Sequence, residues 1–348
     1  MAKIDHLFLD MMRGGGSDLH LLEGQPPKVR QHGELKALNP TILTASAMEA
    51  MLSEICTPDQ WQRFTARGDM DFAYEIPGQA RFRANYFRQF FGLGAIFRVV
   101  PSKILTLADL EAPEVLKSFA YLNAGLVLVT GPTGSGKSTT LAGIMDYINE
   151  TLPRKIMTVE DPVEFVHKSK KCLMIHREVG EDTESFASGL MGAIKSDVNV
   201  VLVGEMRDRE TVELALTATE LGMLVFGTLH TNSAAKTIDR IIDVFPTSQQ
   251  EQVKSLMANS LKGIVSQQLL RSADGKRRYA AHEILLHTPP LGGVIRTGDS
   301  TGIYSYIQMG GRIGMSTMDD CLKRLVKEGK VSSSEAYIKA QDKSKFNI

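Results

Sequence analysis

The sequence predicts an α/β protein in which a parallel-sheet domain follows a smaller α+β unit. Three observations carry this expectation. From Gly125 onward, apolar runs alternate with helical stretches; before Val100, short alternating segments read as half-buried strands; and 348 residues exceed what one hydrophobic core usually serves. Hydrophobic residues make up 43% and charged residues 23%, which places the chain among ordinary globular proteins rather than disordered or fibrous ones.

Residues 1–100 are expected to form the α+β unit. After the Gly14–Gly16 turn, Asp18–Leu22 alternates polar and apolar residues as a strand does, and Lys28–Gln31 reads as a second strand before a turn at Gly33. Met48, Met51, Leu52 and Ile55 follow the spacing of one helical face, a stripe that belongs to a core rather than to a ligand site. Asp71–Val100 alternates again, with turns at Pro77-Gly78 and Gly92–Gly94, and reads as a meander of strands. Residues 101–113, with turn residues at both ends, form the expected linker to a second domain over 114–348.

In that second domain Leu126–Thr130 is a continuous apolar run, as expected of a parallel strand covered on both faces. The helix that follows aligns Leu141, Ile144, Met145 and Ile148. Ile156–Val159, Val200–Val203 and Leu224–Thr228 read as further buried strands, separated by helices such as Glu210–Glu220. Beyond Ser248 the chain reads as mainly helical, with Val253, Leu256, Met257, Leu261, Ile264 and Val265 on one face. A short strand near Tyr279–Leu285 and helices near Met318–Lys327 and Ser334–Ala340 close the domain, whose part from about residue 286 is expected to be helical.

Charge and cysteine usage exclude several classes. Forty basic residues balance forty acidic ones, which speaks against a dedicated nucleic-acid binder. Cys56, Cys172 and Cys321 are odd in number and form no CxxC pair, so buried thiols in a reducing cytoplasm are expected rather than disulfides or a zinc site. No signal-type apolar region opens the chain and no run is long enough to span a bilayer, so membrane association is expected only through a partner protein.

Gly131-Pro132-Thr133-Gly134-Ser135-Gly136-Lys137-Ser138, followed by Thr139, matches GxxxxGK[ST] and has a strand before it and a helix after it. Such a loop turns backbone N–H groups inward around phosphates, with Lys137 reaching the β- and γ-phosphates of ATP and the Ser138 hydroxyl ligating Mg²⁺. Val200–Val203 leads into Gly204-Glu205, an apolar strand ending in a carboxylate that can hold the metal's water shell or, the preferred role, polarise the attacking water. Glu160 and Asp161 follow another strand and stand where a second acid near the metal would be, although Asp161-Pro162 also reads as a plain turn. His230, at the end of a third strand among Thr228, Thr231 and Asn232, fits a γ-phosphate sensor or a structural histidine. Arg81 and Arg83 are two apart on a predicted strand and share one face; with Arg98 they suit either a polyphosphate or a solvated surface.

Together GPTGSGKST, VEDPVEF, VLVGEMRD and GTLHTNSAAKTIDRIIDVFP resemble the secretion ATPase superfamily, and within it the PilT-type ATPases that power type IV pilus retraction. The resemblance covers nearly the whole chain, from SDLHL through VPSK at Val100–Lys103 to the C-terminus. It implies a PAS-like N-terminal domain, a RecA-like C-terminal domain, ATP bound between the two, and a homohexamer. It further implies an inner-membrane platform protein as partner, a second pilus ATPase as possible assistant, and a cytoplasmic location peripheral to the inner membrane. By position, Lys137 and Ser138 are Walker A residues, Glu160 and Asp161 belong to the Asp box, Glu205 is the Walker B glutamate, and His230 belongs to the His box. Arg81, Arg83 and Arg98 match the arginines that approach the nucleotide, and Arg240 is a candidate interface residue. Two segments depart from the family pattern: Ala193–Asn199 lacks the usual arginine and proline, and Leu291–Gly298 shortens the motif tied to retraction. Gly189 and Gly192 also fall inside a predicted helix. The alternatives are therefore an accessory paralogue, an extension or secretion ATPase, a regulatory ATP-binding protein, and, from a different class, a nucleic-acid translocase.

Overall fold

The computed structural model describes residues 2–31, 34–100 and 103–346, which fall into two compact units. One unit comprises Met1–Lys103 with Pro162–Val166, the other Ile104–Asp161 with His167–Ile348. The expected turn at Gly33 and the first two linker positions lie outside the described residues.

The first unit runs α1 (Asp5–Arg13), β1 (Asp18–Leu22), β2 (Lys28–Gln31), β3 (Glu34–Ala37), α2 (Ala45–Glu54), α3 (Pro58–Arg67), β4 (Asp69–Ile76), β5 (Ala80–Gln89) and β6 (Gly92–Val100). Among the described residues its strands form one antiparallel sheet in the order β3-β2-β1-β6-β5-β4. The three helices cover one face. Phe8 of α1 stacks on Phe82 at 4.2 Å and meets Phe97 edge-on, Phe64 of α3 meets Tyr86 at 5.5 Å, and the Tyr86 hydroxyl donates to the Leu52 carbonyl of α2. Met48, Met51 and Leu52 are buried in this core, as their spacing predicts. The first meander turn falls at Pro77-Gly78, but the second is Phe90-Phe91; Gly92–Gly94 already belongs to β6.

The second unit continues with α4 (Val115–Ser118), β7 (Gly125–Thr130), α5 (Lys137–Thr151), β8 (Lys155–Glu160), β9 (Leu173–Glu178), α6 (Phe186–Lys195), β10 (Val200–Val203), α7 (Arg209–Glu220) and β11 (Leu224–Leu229). Then follow α8 (Ala234–Asp243), α9 (Thr247–Ser260), β12 (Leu261–Arg271), β13 (Arg278–Leu286), α10 (Pro289–Thr297), α11 (Ser300–Met309), α12 (Met318–Lys327) and α13 (Ser333–Lys339). The sheet order is β13-β12-β7-β11-β10-β8-β9, parallel except for the antiparallel β12–β13 pair. Alternate residues of each central strand enter different cores. Leu126, Leu128, Val201 and Val203 pack with α6–α11, whereas Val127, Val129, Val200 and Leu202 pack with α4 and α5. Burial on both faces is why these strands are apolar throughout.

The helical stretch expected beyond Ser248 is helix in its first half and strand in its second. α9 ends at Ser260, and Leu261–Arg271 pairs with β7 on one side and β13 on the other. One of the α6 glycines also finds its reason here: a Cβ at Gly189 would lie 2.6 Å from Val159 Cγ1, so glycine permits the close approach of α6 to β8. The divergent Ala193–Asn199 segment is anchored by Asn199, whose side chain accepts from the Lys155 N–H at 2.8 Å and whose carbonyl accepts from the Leu224 N–H.

Candidate functional site

Strand order decides what meets at one edge of the second unit. β7, β11, β10 and β8 are parallel neighbours, with Thr130 opposite Leu229, Val203 opposite Gly227, and Val203 opposite Val159. Their C-terminal tips therefore present, in succession, the Gly131 loop, His230, Glu205 and Glu160. Polar groups at such strand ends are where open α/β sheets bind ligands.

The loop from Gly131 to Gly136 turns through three glycines with positive φ, at Gly131 (145°), Gly134 (77°) and Gly136 (86°). At Gly131 the need is also steric, because a Cβ would fall 2.2 Å from the Gln267 carbonyl oxygen. Lys137 opens α5 and its Nζ donates to the carbonyls of Gly131 (2.8 Å) and Pro132 (3.2 Å). Pro132, Thr133 and Gly134 are exposed at the tip of the loop, and Ser138 and Thr139 are partly exposed in the first turn of the helix. The Ser135 hydroxyl is buried in the loop with no hydrogen-bond partner.

Glu205 is the centre of a three-residue cluster. Its Oε1 accepts from Arg207 Nε in a very short contact and lies 3.2 Å from His230 Nε2. The carboxylate is mostly buried, whereas the His230 and Arg207 side chains are more exposed. Burial pushes the Glu205 carboxyl upward, but the Arg207 hydrogen bond and the charges of His230 and Arg207 outweigh it, and the net shift is downward. Arg207 itself is pushed up, chiefly by the hydrogen bond to Glu205, with Asp161 adding a smaller electrostatic contribution. Glu160 is partly buried at the end of β8 and Asp161 is exposed beside it. Of the residues singled out in the sequence, the structure brings Glu205 and His230 into contact and sets Asp161 near Arg207, a residue that sequence reading passed over. Its signal was present: a cation two residues after the strand-end acid, in a loop short enough to fold back on it.

The arginines of the first unit lie on the sheet face opposite its helices. Arg81 and Arg83 alternate with the buried Phe82 and Ala84 on β5, and Arg83 stands directly across from Arg98 of β6. Arg98 Nε donates to Asp18 Oδ1 at 2.8 Å, and Arg83 pairs with Asp71 at 3.7 Å. The shared face is thus real, and acids answer part of its charge. Arg240 is exposed on α8, away from the buried Ile238 and Ile241.

A nucleotide fits this edge. Three phosphate-loop glycines, a lysine at the start of a helix, and an orphaned hydroxyl inside the loop are a donor set for a polyanion. Among the described residues no group of three or more His, Cys, Asp or Glu side chains can hold a metal by itself. Ser138 in the first turn of α5, Glu160 at the end of β8 and the adjoining Asp161 are hard oxygen donors of the kind Mg²⁺ takes alongside phosphates and water. No helix among the described residues is long and apolar enough to cross a membrane.

Comparison with known proteins agrees with the geometry. Residues 2–336 match the family model described as type II/IV secretion system protein. The chain is 48% identical over 99% of its length, and 99% of the other's, to a Pseudomonas aeruginosa protein named type IV pilus retractation ATPase PilT. It is 46% identical to a Neisseria gonorrhoeae protein named twitching motility protein, over 92% of this chain and 86% of that one. A crystal structure described as the pilus retraction motor PilT with bound ADP superposes with a TM-score of 0.91 at 40% identity, covering 99% of each chain. With a phosphate-type loop and a strand-end acid on a parallel sheet, and relatives matched end to end, this chain belongs to the type II/IV secretion system protein family, as one of its PilT-type ATPases.

Proposed function

We propose that the chain is a motor that converts ATP hydrolysis into retraction of a type IV pilus. The observation that carries the reading is the Glu205 carboxylate, held ionised by Arg207 and His230 at the same sheet edge as a lysine-bearing glycine loop. In this reading the loop's amides and Lys137 hold the phosphates, and Glu205 takes a proton from the water that attacks the γ-phosphate. His230 orients Glu205 and senses the terminal phosphate. Ser138, Glu160 and Asp161 would hold Mg²⁺, directly or through water; when bound, the ion neutralises phosphate charge. Arg81, Arg83 and Arg98 supply cations to the nucleotide from a PAS-like N-terminal domain, reached by the 101–113 linker from a RecA-like domain over 114–348.

The working assembly is a ring of six copies, with Arg240 at an interface, seated in the cytoplasm against an inner-membrane platform protein. The test is complementation of a deletion strain in a pilus retraction assay. Wild type is expected to restore retraction, and Lys137→Ala and Glu205→Gln to fail. In vitro, Glu205→Gln is expected to keep ADP binding while phosphate release falls by about a hundredfold or more. A deletion strain that lacks surface pili would indicate extension instead, and normal turnover by Glu205→Gln would remove Glu205 from its role.

A further inference from the structure

Gln267 lies outside every motif the sequence singles out, yet its side chain hydrogen-bonds both the glycine loop and the helix that follows it. It is 2% exposed on β12, one residue beyond Ser266, which pairs with Thr130 at the end of β7. Its Nε2 donates to the Ser135 carbonyl at 2.7 Å, and its Oε1 accepts from the Thr140 hydroxyl at 2.7 Å. His282 Nε2, on the paired strand β13, lies 3.2 Å from the same Oε1. His282 is fully enclosed, and burial, reinforced by the charge of Arg324, lowers it to about 4; near neutral pH it is an uncharged ring that can donate through Nε2. The amide orientation is therefore fixed: the oxygen faces two donors and the nitrogen faces a carbonyl.

A loop that binds phosphate must aim its N–H groups at the anion and its carbonyls away from it. Lys137 Nζ engages the carbonyls of Gly131 and Pro132, and Gln267 provides the donor for that of Ser135. The Thr140 bond ties the same amide to the first turns of α5. We propose that Gln267 is a positioning residue of the nucleotide site, holding the Ser135 peptide turned away from the phosphates so that the neighbouring amides face them. This deepens the phosphate-loop reading and rests on it.

The experiment measures ADP affinity of the full chain by calorimetry for wild type, Gln267→Met, Thr140→Val, the double variant and Lys137→Ala, with a melting temperature for each. Gln267→Met keeps the side-chain length and removes the donor; ADP affinity is expected to fall at least tenfold. Thr140→Val is expected to fall less, and the double variant to fall by less than the product of the two single effects. Because the loop holds ATP and ADP alike, KM for ATP should rise with the ADP dissociation constant while kcat stays within a few fold. Should Gln267→Met fail to fold, Gln267→Leu removes the donor with a shorter apolar side chain and is expected to show the same loss. Wild-type ADP affinity in the folded Gln267 variant, with Lys137→Ala unable to bind, overturns the role of Gln267 alone. Retained binding by Lys137→Ala overturns the phosphate-loop reading beneath it.

Discussion

At Glu205 two effects oppose each other: burial favours the protonated carboxyl, and the contacts from Arg207 and His230 favour the carboxylate and win. The group is thus ionised through neutral pH and well into the acid range. If it serves as base, turnover holds until pH falls to its lowered pKa and is lost below it. Arg207→Ala removes the largest of the lowering contributions, so the acid limb of the kcat profile should move to higher pH. An acid limb that stays in place in the variant would separate Arg207 from the chemistry. The same residue marks the edge of what sequence could show. Glu205 and Lys137 announce themselves by local pattern, whereas Arg207 and Gln267 acquire meaning only when a loop folds back or when β12 settles beside β7.

α7 begins where this loop ends, and Asp208 caps it, accepting from the Thr211 N–H and the Thr211 hydroxyl, both at 2.8 Å. Asp208→Ala should cost about 1 kcal/mol, read as a fall of about 2–4 °C in the melting temperature. A larger fall in turnover than in stability would show that the cap also fixes the Glu205–Arg207 loop. β7, β10 and β11 were legible because each is a short apolar run followed by a turn and a helix, and β8 by its apolar run alone. β12 was not, for two reasons. Buried on most of its length, it lacks the alternation of a half-exposed strand, and a register shift between Leu261 and Gly263 displaces its apolar residues. Leu261, Ile264 and Val265 then imitate the spacing of a helix. The hairpin after β5 misled in the opposite way: Gly92–Gly94 resembles a turn, yet the tip consists of Phe90 and Phe91, 95% and 75% exposed. No local turn rule places two aromatics there.

Among the described residues, the first unit has one hydrophobic cluster of its own and the second has three. Calorimetry of the full chain should resolve two transitions. ADP at about a hundred times its dissociation constant should stabilise the unit carrying the glycine loop by about 2.7 kcal/mol. A single transition that moves as a whole would mean that both units unfold together. Thiol placement gives the experimenter a further opening. Cys172 and Cys321 are buried, and enclosure pushes the half-buried Cys56 thiol up to about 11 despite a Tyr86 hydrogen bond that lowers it. Maleimide dyes react with thiolates, so the native chain should stay almost dark at neutral pH. Cysteines introduced at exposed Ile42 and Leu221, one in each unit, would then take up a donor and an acceptor fluorophore without any prior removal of natural sulfhydryls. Energy transfer between them could follow the chain through nucleotide binding, hydrolysis and release, one molecule at a time.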